Sequence, residues 1–157
     1  MKMNRREAFG AISAFALMAS VMEAQTGEGA VLADSRVFEY DKLPVKKSDN
    51  GGESRAVVHG TLPTGEFVEL HNTTLPAGKM PHKPHKHPHS EFILLREGTV
   101  EYLTDGVAQK VEAGDIIYTA SMKPHGMRNI GTTPAKYFVV AVGVQAPSVE
   151  VELKPPA

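Results

Sequence analysis

Apolar and polar residues alternate in short runs along most of this chain, and turn residues break the runs roughly every 8 to 12 positions. A period of two marks strands with one buried face. Residues 36–40 read as a short strand. Residues 41–52, with Pro44 and Asn50-Gly51-Gly52, read as a loop. Residues 56–60 and 66–71 are strand-like, and Thr64-Gly65 supplies a tight turn between them. Pro76-Ala77-Gly78 then breaks the chain. Residues 92–95 are apolar at every position. Such a strand is covered on both sides: one face toward a barrel interior, the other toward a second sheet or a partner subunit. Residues 100–104 and 107–111 flank Asp105-Gly106, the strongest hairpin signal in the chain. Ala113-Gly114-Asp115 turns into a strand over 116–119. Residues 125–130 and 136–144 complete the set, and the tail from 149 reads as loose. No amphipathic helix is indicated. Short strands with recurrent turns predict an all-β sandwich or small barrel.

The first 33 residues follow a different pattern. Lys2, Arg5 and Arg6 make a basic start, and residues 8–22 are apolar and small with no polar stripe at helical spacing. That run is shorter than the ~20 residues that span a bilayer. The segment reads as a secretory signal peptide, cleaved after Ala33 or Ala24. Asn4-Arg5-Arg6-Glu7-Ala8-Phe9 resembles a twin-arginine signal, which implies export of an already folded chain to the periplasm. A cytoplasmic helix and an uncleaved anchor are the competing readings. Removing 33 residues from 157 leaves 124, enough for one domain, residues 34–157.

Composition narrows the partners. The formal net charge is −1 and no basic block follows residue 33, so neither nucleic acid nor stable membrane insertion after cleavage is expected. Cysteine is absent, which excludes disulfides, thiolate zinc sites and a cysteine nucleophile. No serine nucleophile motif, phosphate loop or nucleotide fingerprint is present.

Candidate chemistry concentrates in residues 78–98, which carry His82, His85, His87, His89 and Glu91. Side chains two apart share a strand face. His85, His87 and Glu91 therefore share parity, giving two imidazoles and a carboxylate. That donor set suits Fe, Mn, Ni, Cu, Co or Zn and disfavours Ca and Mg. The competing reading is a solvated His/Lys/Pro loop or a loose chelating tract. His59 and His71, each alone in a strand, read as hydrogen-bonded histidines without a role in a site.

Two motifs make the chain similar to the cupins, a β-barrel family within the jelly-roll class. The first runs Gly78, His85-Lys86-His87, Glu91, Gly98. The second runs Gly114-Asp115, His125, Asn129, with Ala120 and Met122 where the family often has Pro and Gly. The resemblance covers about residues 67–143. It implies a double-stranded β-helix in which His85, His87, Glu91 and His125 bind one divalent transition metal, with positions left for a ligand. His82 and His89 fall outside the motif and are expected beside the site or on the surface. Asn129 is expected to be structural.

The expected function is that of a metal-dependent enzyme on a small oxygenated molecule, of the oxygenase, decarboxylase or isomerase type, with Glu91 as a proton shuttle. The alternative is a non-catalytic module that binds a metal or ligand. A homodimer is expected through the strand over 92–95.

Overall fold

The structure, a computed structural model, describes residues 31–153. The signal peptide expected over residues 1–33 lies almost wholly outside the described residues.

Among the described residues, eleven strands form two antiparallel sheets. The larger sheet has the order β1 (Val45–Lys47), β2 (Glu53–Thr61), β3 (Phe67–Leu75), β10 (Ala135–Gly143), β5 (Ser90–Glu97), β8 (Ile116–Thr119). The smaller has the order β11 (Val149–Glu150), β4 (His85–Lys86), β9 (His125–Asn129), β6 (Thr99–Thr104), β7 (Val107–Glu112). The all-β expectation holds. Inward side chains from both sheets meet in one core: Ile93, Leu95, Tyr137 and Val139 from the larger, Val100, Tyr102, Val111 and Met127 from the smaller.

Local signals explain several elements. Asp105 and Gly106 both have positive φ, 49° and 76°, the geometry of the hairpin turn that matches strand twist. Gly98 has φ 88°, and a Cβ there would lie 2.8 Å from Ala135 Cα. Glycine thus lets β5 turn into β6 directly against β10.

Three expectations on the flanks are corrected. Residues 36–39 form no strand, and Tyr40–Lys42 is a single turn of 3₁₀ helix. The loop expected over 41–52 contains β1, which pairs with β2. The tail is not loose at its start: β11 pairs with β4, and the Val151 amide donates to the Pro84 carbonyl at 3.0 Å. Both strands depend on a pairing partner, β11 on one about sixty residues away, which local pattern does not carry.

Strand β5 divides as its parity requires. Ile93 and Leu95 are buried, while Phe92 faces out, 41% exposed, beside Tyr118 with ring centroids 5.0 Å apart. Within the described chain no second sheet covers that outer face.

Candidate metal centre

The histidine tract is held between prolines. Pro84 and Pro88 lack an amide donor and leave β4 only two residues long. β4 pairs with β9 through His85 opposite His125. The carbonyl after β4 is also used: the Met122 amide donates to the His87 carbonyl at 2.8 Å, and the Ser121 hydroxyl to the Pro88 carbonyl at 2.6 Å. Met122 has φ 60°. It adopts the left-handed backbone that favours Gly, at the position where the motif often has Gly.

These contacts bring three imidazoles together. Ligand-type nitrogens of His85, His87 and His125 lie within 4.8 Å of one another. The ring centroids are 5.1 Å apart for His85 and His87, 4.5 Å for His85 and His125, and 4.8 Å for His87 and His125. Glu91, opposite Thr119 on β8 and Ala141 on β10, points to the same place. Its Oε2 is 3.7 Å from His87 Nε2.

The protonation pattern suits a cation. His87 Nδ1 donates to the His89 carbonyl and His125 Nδ1 to the Lys123 carbonyl, both at 2.9 Å. A carbonyl only accepts, so the proton sits on Nδ1 and the lone pair on Nε2. Those two Nε2 atoms, and Nδ1 of His85, are buried without a hydrogen-bond partner. An orphaned buried polar atom costs about 1–3 kcal/mol; His89 Nδ1 is a fourth beside these, and the two Nε2 acceptors suit a bound cation. Burial, then repulsion from neighbouring histidines, pushes His85 down to about 3. Burial also lowers His125. Both shifts favour neutral rings at His85 and His125, the form that ligates a metal. Burial pushes the Glu91 carboxyl up to about 7, so without a cation it holds its proton near neutrality. Three imidazoles and a carboxylate suit a divalent transition metal.

The remaining histidines divide. His89 stacks on His87, with centroids 3.7 Å apart and planes 12° apart, and falls into a second group of potential ligands with His87 and Glu91. It lies nearer the centre than its place outside the motif implied. His82 packs edge-on against His85 at 4.2 Å and lies at the mouth of the adjoining cavity. Asn129 is fully buried and structural: its amide donates to the Leu75 and Thr133 carbonyls, and its oxygen accepts from the Gly131 amide.

A cavity of about 120 Å³ opens beside Glu91 and His125, and is also lined by His71, Thr73, His82 and Tyr137. That volume suits a molecule of few atoms. Sequence reading missed His71, Thr73 and Tyr137. The available signal was parity: Phe67, Glu69, His71, Thr73 and Leu75 share one face of β3, and its ends are buried. Tyr102 points inward and shares a hydrogen bond with the Thr119 hydroxyl at 2.7 Å, whereas Tyr118 points out.

Fold and side chains together define a double-stranded β-barrel with a histidine–carboxylate cluster inside one end. Residues 71–141 match the model of the cupin domain, and the chain belongs to the cupin superfamily. It is similar to the uncharacterised protein MJ1618 of Methanocaldococcus jannaschii, 32% identical over 99 residues, which are 62% of this chain and 78% of that protein. Among solved structures it resembles an RmlC-like cupin from Shewanella frigidimarina, with a TM-score of 0.59, 16% identity, and coverage of 71% of this chain and 94% of that one. The polyketide cyclase RemF from Streptomyces resistomycificus gives 0.62, 17%, 77% and 88%. Oxalate decarboxylase from Bacillus subtilis gives 0.59, 20%, 76% and 34%. At such identities the likeness concerns the fold alone.

Proposed function

We propose that this chain is an exported, metal-dependent enzyme acting on a small oxygenated molecule, by oxygenation, decarboxylation or isomerisation. The observation that carries the reading is the set of three buried, partnerless imidazole nitrogens facing a buried carboxylate beside a small cavity. His85, His87, His125 and Glu91 would hold one divalent transition metal. When bound, such a metal supplies a Lewis acid and, if redox-active, a site for dioxygen chemistry. The chain's own residues do the rest. The cavity admits a molecule of few atoms. Glu91, whose carboxyl is pushed up to about 7 where no cation neutralises it, would shuttle a proton on moving off the metal. The polyketide cyclase and the oxalate decarboxylase among the structural neighbours support an enzyme over a passive module. Export rests on the basic-then-apolar segment at residues 1–33.

The test is His87→Ala. It is expected to abolish metal loading together with any turnover. Retained metal and activity would refute the reading, and saturable ligand binding without product would favour the alternative, a non-catalytic metal- or ligand-binding module.

A homodimer is the second proposal. Phe92, Ile116 and Tyr118 lie on the outer face of β5 and β8, 41%, 63% and 57% exposed, and such a patch on an edge of the larger sheet fits a second copy of the same chain. Sedimentation that shows only monomer at micromolar concentration would sink it.

A further inference from the structure

Beside the proposed metal ligands the cavity is lined by two imidazoles that belong to neither motif, His82 and His71, and only His71 has a carboxylate partner. His71 sits on the inner face of β3, opposite Val139 of β10, which in turn lies opposite Ile93 of β5. One step along the same face, Glu69 lies opposite Ala141, and Ala141 opposite Glu91. His71 thus lines the cavity that Glu91 and His125 also line.

Its Nδ1 is 3.1 Å from Glu69 Oε1. The hydrogen bond to His71 holds the Glu69 carboxyl below its usual range despite partial burial, so Glu69 is the acceptor and His71 Nδ1 carries the proton. The lone pair is left on Nε2. Glu69 also lines a second, wider pocket of about 450 Å³ with His59, Phe67, His89 and Gln145. The side chains of Glu69 and His71 are 38% and 28% exposed, against 14% for Glu91 and 2% for His87. The pair therefore links the small cavity to a wetter one. The charged and titratable groups that face it are Glu91 across the sheet, His82, His125 and Tyr137 around the same cavity, and His59 and His89 on the Glu69 side.

We propose that His71 takes the acidic proton of the small molecule bound in this cavity, and that Glu69 is the residue that positions it. In that step the O–H bond of the bound molecule breaks and its electron pair stays on oxygen. The proton forms a new bond to His71 Nε2, and the imidazolium charge is offset by the Glu69 carboxylate already hydrogen-bonded at Nδ1. No oxidant or further reactant is needed, and the reverse step returns the proton. The class of ligand this selects is a small weak acid with a second oxygen donor: a hydroxy-carbonyl compound, an enol or a hydroxamate. The inference rests on the metal-dependent reading above.

The test uses zinc-loaded full-length protein and acetohydroxamic acid as the probe. Calorimetry in two buffers of different ionisation enthalpy counts the protons released on binding. Wild-type protein is expected to retain the probe's proton. His71→Gln should release about one proton more and bind about tenfold more weakly, the scale of one charged hydrogen bond. Glu69→Gln, of nearly the same shape, should fall between them, because a neutral amide does not offset the imidazolium. All three proteins should hold zinc equally, since neither residue is a proposed ligand. ¹⁵N spectra of labelled histidine should show His71 protonated on Nδ1 in the free wild type. Equal proton counts and affinities in wild type and His71→Gln, or His71 protonated on Nε2, would overturn the inference. Wild-type protein that holds no zinc would overturn the metal-site reading and this inference with it.

Discussion

The two ends of the barrel interior are built from the same strands and do opposite things. On β5, Leu95 belongs to one end and Glu91 to the other, with Ile93 between them; on β10 the matching residues are Tyr137, Val139 and Ala141. At the Leu95 end the interior is apolar and nearly waterless, with Leu75, Val100, Ala135 and Tyr137 at 2% exposure or less. At the Glu91 end the buried groups are His85, His87, His125 and Thr119, and several lack partners. One end supplies the stability that lets the other keep neutral histidines and a carboxyl out of water. Alternation alone makes both ends buried; only the identity of every second residue makes them different.

That contrast can be broken from either side. The largest effect is expected at the polar end: His87→Ala should lower metal content from about one per chain to near none while the fold survives, because a structural zinc-type site contributes on the order of 10 kcal/mol of binding. Circular dichroism beside metal analysis checks both halves. At the apolar end, Leu95→Ala removes a side chain that is 2% exposed. It should cost about 2–5 kcal/mol in urea unfolding, yet leave metal per folded chain unchanged. If it emptied the site as well, the two ends would not be separable.

A smaller effect is expected from pH. In the metal-free chain Glu91 is pushed up to about 7 from 4.5, so between those values the folded chain holds a proton that the unfolded chain has lost. Its contribution to stability is therefore present at low pH and falls away as pH rises toward 7. His85, pushed down to about 3 from 6.5, acts the other way: its contribution is lost as pH falls from 6.5 toward 3. Metal affinity should rise with pH up to about 7, as the cation must displace the Glu91 proton, and then flatten. Titration calorimetry from pH 5.5 to 8 on wild type and Glu91→Gln measures this; a slope that persists in the variant would assign the proton elsewhere. The smallest effect belongs to Met122, whose φ of 60° strains an ordinary side chain. Met122→Gly should gain about 0.5–1 kcal/mol, the relief of left-handed strain less glycine's greater freedom when unfolded. A loss of stability would show that the Met122 side chain holds the loop under His87.

The sequence made the motif end of the site legible and left the β3 side dark. His85, His87 and Glu91 share parity within seven residues, and His125 follows at a recognisable spacing, so local pattern reached them. His71 and Glu69 are only two apart as well, but their meaning depends on β3 lying beside β10, a pairing across about seventy residues. The same physics hid β11, which exists only against a distant partner. Asp105-Gly106 was legible because its turn geometry is decided by the two residues themselves. The strand over 92–95 was placed correctly, and its inward parity too, but the covering of its outer face is not visible within one chain.

The central claim is that the partnerless imidazoles and Glu91 form a single metal site. The most direct test is metal content per chain by mass spectrometry, on untagged protein purified from its own host. The account predicts about one equivalent of a single transition metal, of the kind that imidazole and carboxylate select. No metal, or several metals spread substoichiometrically over the histidine tract, would contradict it.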